Sequence, residues 1–114
     1  MAKSDLTKLV EQLADFEERL GVSLQGLSAY VDFGDEDDDE SDVCVSVCGE
    51  IYSKTGKKLK EDVDVNVVVY DSNNRVVGTS NAYFDSEEFY GFEAFEITVY
   101  VPVKAISKIR VYPK

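Results

Sequence analysis

The segment that most constrains the fold is residues 61–80, where valines alternate with mostly polar side chains. The alternating valines are Val63, Val65, Val67 and Val69, and the run ends at the turn-forming sequence Asp71-Ser72-Asn73-Asn74. A second β-branched run follows at once over residues 75–79. Successive side chains of a strand point to opposite faces, so the pattern predicts a half-buried strand, a tight turn and a return strand. It predicts antiparallel β structure and leaves the function open.

Similar alternation recurs along the rest of the chain. The predicted strands cover residues 27–34, 43–52, 63–71, 75–84, 95–101 and 105–112. Short strands with turns about every 10 residues and no helix between them are typical of a two-layer sandwich. We therefore predict a mainly β, six- to seven-stranded antiparallel β-sandwich of immunoglobulin-like type over residues 27–112. A half-open barrel is the alternative. The length of 114 residues fits one domain over residues 1–114.

A different periodicity precedes the strands, over residues 4–21. Apolar side chains at helical spacing are Leu6, Leu9, Val10, Leu13, Phe16 and Leu20. Ser4 suits an N-cap and Gly21 a C-terminal stop. This pattern predicts one N-terminal amphipathic α-helix whose apolar stripe packs against the body of the domain or against a second copy. The second possibility predicts self-association as a homodimer.

Four segments within residues 43–112 resemble a known family. They are V-C-G-E-I, L-K-E-D-V-D-V-N-V-V-V-Y-D-S-N-N-R-V-V-G-T-S, F-E-I-T-V and K-I-R-V-Y. Together they resemble small bacterial immunoglobulin-like or fibronectin III-like domains, and the FxLYD-type modules are the nearest comparison. The resemblance implies a β-sandwich without defined catalytic residues. Domains of this kind are usually secreted or attached to a membrane.

The charge of the chain is strongly acidic, with 23 Asp and Glu against 12 Lys and Arg and a net charge of −11. Such a surface repels phosphate backbones and anionic lipid headgroups, which disfavours nucleic-acid and membrane partners. The amino terminus has no apolar signal region, and no apolar run approaches the roughly 20 residues that span a bilayer. We therefore expect a cytoplasmic protein.

The acidic run at residues 35–42 is the one candidate for metal binding. Asp35, Asp37 and Asp39 have the alternate spacing that opens an EF-hand loop, whose oxygen ligands suit Ca²⁺. Glu40 and Ser46 stand where that loop has Gly and Glu. Two interpretations remain, a mobile solubilising loop and a calcium site. Melting the protein in EDTA and then in calcium separates them, because a ligand that binds only the folded state stabilises it.

The residue types needed for catalysis are sparse. The chain has no His, and it lacks nucleophile-elbow, phosphate-loop and dinucleotide-binding motifs. Cys44 and Cys48 fall about 13 Å apart on one strand face, too far for a disulfide or a shared metal. We therefore predict a protein that is not an enzyme and has no cofactor.

Aromatic side chains cluster at residues 83–95, which include six rings. Phe89 and Tyr90 lie in the connector between Glu87-Glu88 and Gly91. Rings in such a loop either cover the end of the core or contact a protein partner, since aromatic residues anchor interfaces. The preferred function is therefore a non-catalytic protein–protein interaction or structural module that uses Phe89 and Tyr90. The alternative is a calcium-binding β-sandwich.

Overall fold

The computed structural model describes residues 3–32, 43–54, 56, 58–102 and 106–114, which form two packed four-stranded sheets. The elements are β1 (Lys3–Asp5), β2 (Val10–Gln12), α1 (Ala14–Leu20), β3 (Val22–Asp32), β4 (Val43–Ser53), β5 (Val63–Asp71), β6 (Val76–Phe84), β7 (Phe92–Val101) and β8 (Ile106–Pro113). Sheet A has the order β1-β3-β4-β7, and sheet B has the order β2-β8-β5-β6. The predicted mainly β sandwich with one helix is confirmed.

The core lies between the sheets and is built mostly from valine. Alternate residues of β4 and β5 are buried, as the sequence pattern predicts. The fully buried β-branched side chains include Val45, Val47, Val65, Val67, Val69 and Ile109. The hairpin of β3 and β4 lies within one sheet.

The hairpin of β5 and β6 is held by the side chain of Asp71. Its Oδ1 accepts the backbone N–H groups of Asn73 at 2.9 Å and Arg75 at 3.0 Å. Asn74 has a φ of 63°, a left-handed conformation that Asn tolerates better than most residues. The turn predicted from Asp71-Ser72-Asn73-Asn74 is therefore present, with Asp71 as its organising side chain.

The predicted helix over residues 4–21 is wrong for most of its length. Only Ala14–Leu20 is α-helical, and the residues before it form β1, a 3₁₀ turn at Thr7–Leu9 and β2. β1 pairs with β3 in sheet A, and β2 pairs in parallel with β8 in sheet B. The segment thus crosses from one sheet to the other and covers an edge of each. The sheet structure also begins at Val22 instead of residue 27.

Tertiary hydrogen bonds explain why the helical periodicity did not prevail. The N–H of Leu6 donates to the carbonyl of Ala29 at 2.7 Å, and the N–H of Ala29 donates to Thr7 Oγ1 at 3.2 Å. A short isolated helix is marginal in water, so two open sheet edges can outcompete it. Leu6 and Val10 pack against the core of the same chain. These two members of the predicted helical stripe therefore contact the body of the domain.

The short helix α1 is fixed to sheet A by a buried carboxylate. Glu17 is 8% exposed, and its Oε1 accepts the backbone N–H of Leu24 at 2.9 Å. The side-chain amide of Gln12 donates to Glu17 Oε2 at 3.2 Å and to the carbonyl of Leu24 at 3.0 Å. These bonds join β2, α1 and β3. The helix ends at Gly21, whose φ of 69° places it in the left-handed region.

Replacement of Glu17 by Ala is expected to lower the free energy of unfolding by about 1–3 kcal/mol, because the buried N–H of Leu24 loses its acceptor. Chemical denaturation of Glu17→Ala beside Glu18→Ala tests this, since Glu18 is exposed on the same helix. Equal stability of the two variants would show that the network contributes nothing to the fold.

Candidate functional site

The outward face of sheet A combines exposed aromatic rings with carboxylates. We call it the acidic aromatic face and define it as the outward side chains of β3, β4 and β7. Its main members are Tyr30, Asp32, Cys44, Ser46, Cys48, Glu50, Tyr52, Phe92, Glu96, Thr98 and Tyr100. The register joins them in rows across the sheet, such as Tyr30, Ser46 and Thr98. These residues come from three strands that are separate in the sequence.

A groove runs along β4 in the middle of this face. Its floor consists of the small side chains of Cys44, Ser46 and Cys48, and larger residues of the neighbouring strands border it. The groove has a volume of about 270 Å³ and is also lined by Tyr30, Asp32 and Glu96. The alternation of small and large residues across neighbouring strands creates this depression in an otherwise flat sheet.

Aromatic rings lie beside the groove and beyond it on the same face. Tyr52 and Phe92 are directly paired across β4 and β7, and their rings stack with centroids 5.4 Å apart. Tyr30 lines the groove beside Ser46, and Tyr100, which pairs with Cys44, is 67% exposed. Rings that stay in water on one sheet face are typical of a contact surface, because they lose water on binding at little entropic cost.

The charge on this face has one sign. Asp32, Glu50 and Glu96 point outward, and no Lys or Arg stands at an outward position of β3, β4 or β7 within the described residues. Glu50 Oε1 accepts the hydroxyl of Tyr52 at 3.2 Å. Burial, followed by this carboxylate, raises the pKa of Tyr52. The outward positions of β3, β4 and β7 therefore present acceptors and negative charge, and Lys3 of β1 pairs with Asp32 at the edge of this face.

The outward face of sheet B has a different character. Lys108 and Arg110 lie over the ring of Tyr70, at 5.2 Å and 5.3 Å from its centroid. Arg110 also forms an ion pair with Glu11 at 3.1 Å. The cations of this face are therefore engaged by groups of the same chain. The two faces of the sandwich differ in both charge and chemistry.

The two cysteines are free thiols and both line the groove, on one face as the sequence predicts. The thiol of Cys48 donates to Glu96 Oε2 at 3.6 Å. Burial, followed by the hydrogen bond and charge of Glu96, raises the pKa of Cys48. A raised pKa keeps the sulfur protonated and weakly nucleophilic. The cysteines thus form a small, uncharged part of the groove floor.

The two aromatic residues predicted to contact a partner lie in opposite environments. Phe89 is 1% exposed and packs edge-to-face on Phe84, with ring centroids 6.2 Å apart. Its ring covers the end of the core, as the alternative interpretation of the aromatic cluster expects. Tyr90 is 74% exposed. A contact role in this loop therefore stays a prediction for Tyr90 alone.

The predicted metal candidates Asp35, Asp37 and Asp39 lie outside the described residues. Within residues 3–32, 43–54, 56, 58–102 and 106–114, no three His, Cys, Asp or Glu side chains are grouped as metal ligands. The described residues nearest to the acidic run in the sequence are Asp32 and Val43. Asp32 lines the groove and pairs with Cys44. The calcium hypothesis thus stays a prediction.

Asp62 ties the aromatic connector to the start of β5. It accepts the hydroxyl of Tyr83 at 2.7 Å and the backbone N–H of Ser86 at 2.9 Å. These two bonds, that of Ser86 first, lower the pKa of Asp62. The hydrogen bond to Asp62, followed by burial and nearby carboxylates, raises the pKa of Tyr83 to about 12. The connector is thereby held where Phe89 enters the core.

We expect Tyr83 to titrate near pH 12, and Asp62→Asn to move its pKa towards the ordinary value of 10.0. Because the folded pKa is raised, the stabilisation from Tyr83 is fully present below pH 10 and is lost as the pH rises towards 12. NMR titration of ¹³C-labelled tyrosine rings, with Tyr83→Phe to assign the resonance, measures this. A Tyr83 midpoint unchanged by Asp62→Asn would contradict the assigned cause.

Comparisons with known proteins show no relationship that assigns a function. No protein-family model matches the chain, and no curated protein matches it. A solved beta-glucuronidase from glycoside hydrolase family 2 is similar over 82% of this chain, with 12% identity and a TM-score of 0.44. The chain spans 11% of the length of that structure. So distant a similarity carries no argument about activity.

Within the described residues, no helix is long and apolar enough to cross a membrane.

Sequence reasoning missed the acidic aromatic face although it predicted all three of its strands. Tyr30, Ser46 and Thr98 become neighbours only through the pairing of β3 with β4 and of β4 with β7. The available signal was the outward half of each alternation, in which aromatic and acidic residues recur without Lys or Arg. Without the register, that signal could not be assembled into a surface.

Proposed function

We propose that this protein is a non-catalytic protein-binding module that holds a basic, extended segment of a partner on the acidic aromatic face. The observation that carries the proposal is the groove along β4, bordered by tyrosine and carboxylate side chains and free of outward Lys or Arg on the three strands that form it. Such a surface is complementary to Lys or Arg side chains.

The groove matches the shape of an arginine or lysine side chain. The apolar stem of such a residue can lie on the small side chains of Ser46 and Cys48, while its charged end reaches the rim. There the ring of Tyr30 offers a cation–π contact, and Glu96 offers a charge-assisted hydrogen bond. The rings of Tyr52, Phe92 and Tyr100 extend the contact to neighbouring residues of the partner.

The net charge of the chain supports the same partner. The chain has 23 acidic residues against 12 basic ones, and this excess of negative charge attracts a basic segment from a distance and speeds its association. Complementary charge of this kind adds specificity by repelling acidic segments. Residues 43–112 resemble FxLYD-type domains, and that resemblance also favours a binding role over catalysis.

A binding experiment with two matched peptides tests the proposal. The first is an extended peptide of alternating arginine and serine, and the second replaces each arginine by glutamate. Isothermal titration with the full chain is expected to show saturable binding of the arginine peptide alone. The affinity should fall as salt is added, because screening weakens attraction between exposed charges.

Variants locate the contact. We expect Tyr30→Ser and Glu96→Gln each to weaken binding of the arginine peptide by about tenfold, which corresponds to about 1.4 kcal/mol. Tyr90→Ser serves as the matched control, because this tyrosine is exposed but lies in the connector. Loss of binding in Tyr90→Ser with full binding in Tyr30→Ser would move the site to the connector. Equal binding of both peptides by the natural chain would remove the proposal.

A further inference from the structure

The four sheet ends of the sandwich are unequal. The short strands β1 and β2, three residues each, form one end of each sheet. At the other ends lie β6 with 9 residues and β7 with 10. An edge strand presents alternate backbone N–H and C=O groups away from its neighbour, and such a row can pair with another strand. The length of β6 and β7 makes them the candidates for such pairing.

The two long edges differ in how they are protected. β7 contains Glu93 and Glu96, both exposed, and charged residues on an edge discourage pairing. β6 reads V-V-G-T-S-N-A-Y-F and contains no charged residue and no proline. In a chain in which 31% of residues are charged, this is an unusually neutral edge. β6 therefore lacks the charged and proline residues by which natural proteins prevent edge pairing.

Apolar side chains are exposed at both ends of the same strand. Val76 is 55% exposed and Tyr83 is 58% exposed, and both belong to outward positions of β6. The residues between them, Thr79 and Asn81, are uncharged and exposed. One side of β6 is occupied by β5 from Val63↔Phe84 to Tyr70↔Val76. The other side has no strand partner among the described residues.

We propose that β6 pairs antiparallel with β6 of a second copy of this chain, so that the two B sheets become one continuous sheet. A two-fold axis at Ser80 places Thr79 of one copy opposite Asn81 of the other, and Gly78 opposite Ala82. Outward residues then face outward residues over residues 78–82, as sheet pairing requires, and the register shift between Gly78 and Val76 ends this match. The interface is isologous and closes at two subunits.

Charge favours a second copy over another kind of partner. Two chains of net charge −11 repel one another at a distance, and a like-charged pair in the interface would add to that cost. At the β6 edge a copy meets its own neutral sequence, so no charged side chain is set opposite another. A basic partner would find no carboxylate on β6 itself, and the nearest ones, Asp62 and Asp64, already accept hydrogen bonds from Tyr83 and Asn81. The occupant that fits β6 is therefore β6 itself.

This pairing has a salt dependence opposite to that of the proposed function. Added salt screens the repulsion between two acidic copies and should strengthen the dimer. The same salt should weaken binding of a basic peptide to the acidic aromatic face. The dimer also leaves that face uncovered, because it uses the edge of sheet B. The two proposals can therefore fail independently.

Sedimentation velocity of the full chain over a range of protein concentration, at low and high salt, tests the dimer. We expect a monomer–dimer equilibrium that shifts towards dimer with salt. Because a single strand pair is smaller than a standard interface, we expect weak association. The double variant Thr79→Lys/Asn81→Lys sets like charges across the two-fold axis and should lower the association constant at least about tenfold.

The control is Asn66→Lys/Thr98→Lys, which makes the same two substitutions away from the edge. Asn66 is the residue of β5 paired with Asn81, and Thr98 lies in sheet A. This control adds the same positive charge to the acidic chain, but away from the β6 edge. It should therefore dimerise as well as the natural chain or better. A monomer at every concentration and salt, or equal loss of dimer in both variants, would overturn the proposal.

Amide hydrogen exchange locates the interface. Protection should increase with protein concentration in β6 and remain constant in β7, which forms the other long edge. Concentration-dependent protection in β7 or in α1, with none in β6, would also overturn the proposal, because it would place the contact elsewhere.

Discussion

Replacing Phe89 by alanine is expected to lower the free energy of unfolding by about 3–5 kcal/mol. The ring is 1% exposed and packs edge-to-face on Phe84, which in turn contacts Phe95 at a centroid distance of 6.3 Å. Truncation removes the ring that covers this end of the core and leaves a cavity between rigid aromatic neighbours. The loss includes both transfer energy and packing.

The adjacent residue provides the matched control. Tyr90→Ala should change stability by no more than about 0.5 kcal/mol, because its side chain is 74% exposed and few groups pack on it. Urea denaturation of both variants, followed by tyrosine fluorescence and circular dichroism, measures the difference. Similar losses in the two variants would mean that Phe89 is not part of the core.

The variant Gly78→Ala is expected to lose about 1–3 kcal/mol although it adds only one methyl group. A Cβ at this position of β6 would lie 2.7 Å from the Cγ1 atoms of both Val99 and Val101 in β7, and 3.3 Å from the carbonyl oxygen of Tyr100. Valine side chains are stiff, so they cannot turn away from the added group. The two sheets would have to move apart at this point.

Ser80→Ala is the control for Gly78→Ala, because Ser80 is the next residue on the inward side of the same strand. Both variants place an alanine at the substituted position, and only Gly78→Ala adds volume. Thermal denaturation should therefore show a clear loss for Gly78→Ala and almost none for Ser80→Ala. A stable Gly78→Ala protein would show that β6 and β7 can separate without cost.

The strands could be predicted from the sequence because alternation encodes them directly. Each of the six predicted strands corresponds to one of β3 to β8. The prediction failed in residues 4–13, where the spacing of Leu6, Leu9, Val10 and Leu13 suits a helix. Here the pairing of β1 with β3 and of β2 with β8 decided the conformation, and no local pattern records those partners.

The candidate site was harder to predict for two physical reasons. Phe89 and Tyr90 are neighbours in a connector, and which of them enters the core depends on the anchoring of that connector. Asp62 holds Tyr83 and Ser86, and Gly91 follows with a φ of 96° that favours glycine. The groove, in turn, exists only once the register brings Tyr30 and Glu96 to opposite sides of β4.

The two faces of the sandwich differ in where their basic side chains lie. The outward positions of β3, β4 and β7 present Asp32, Glu50 and Glu96, whereas the Lys108 and Arg110 side chains of sheet B lie on Tyr70. The inward-facing residues of these strands form the core and are mostly valines. The outward positions of β3, β4 and β7 are the surface on which we propose that a basic partner binds.

The most direct test of binding on the acidic aromatic face is an NMR titration of the ¹⁵N-labelled chain with the alternating arginine–serine peptide. We expect saturable shift changes at the amides that border the groove, those of Tyr30, Ser46, Cys48, Glu96 and Thr98. Amides of β5 and β8 in sheet B should remain unchanged. Shifts confined to sheet B or to the connector of Tyr90, or no saturable shift at all, would rule out binding on this face.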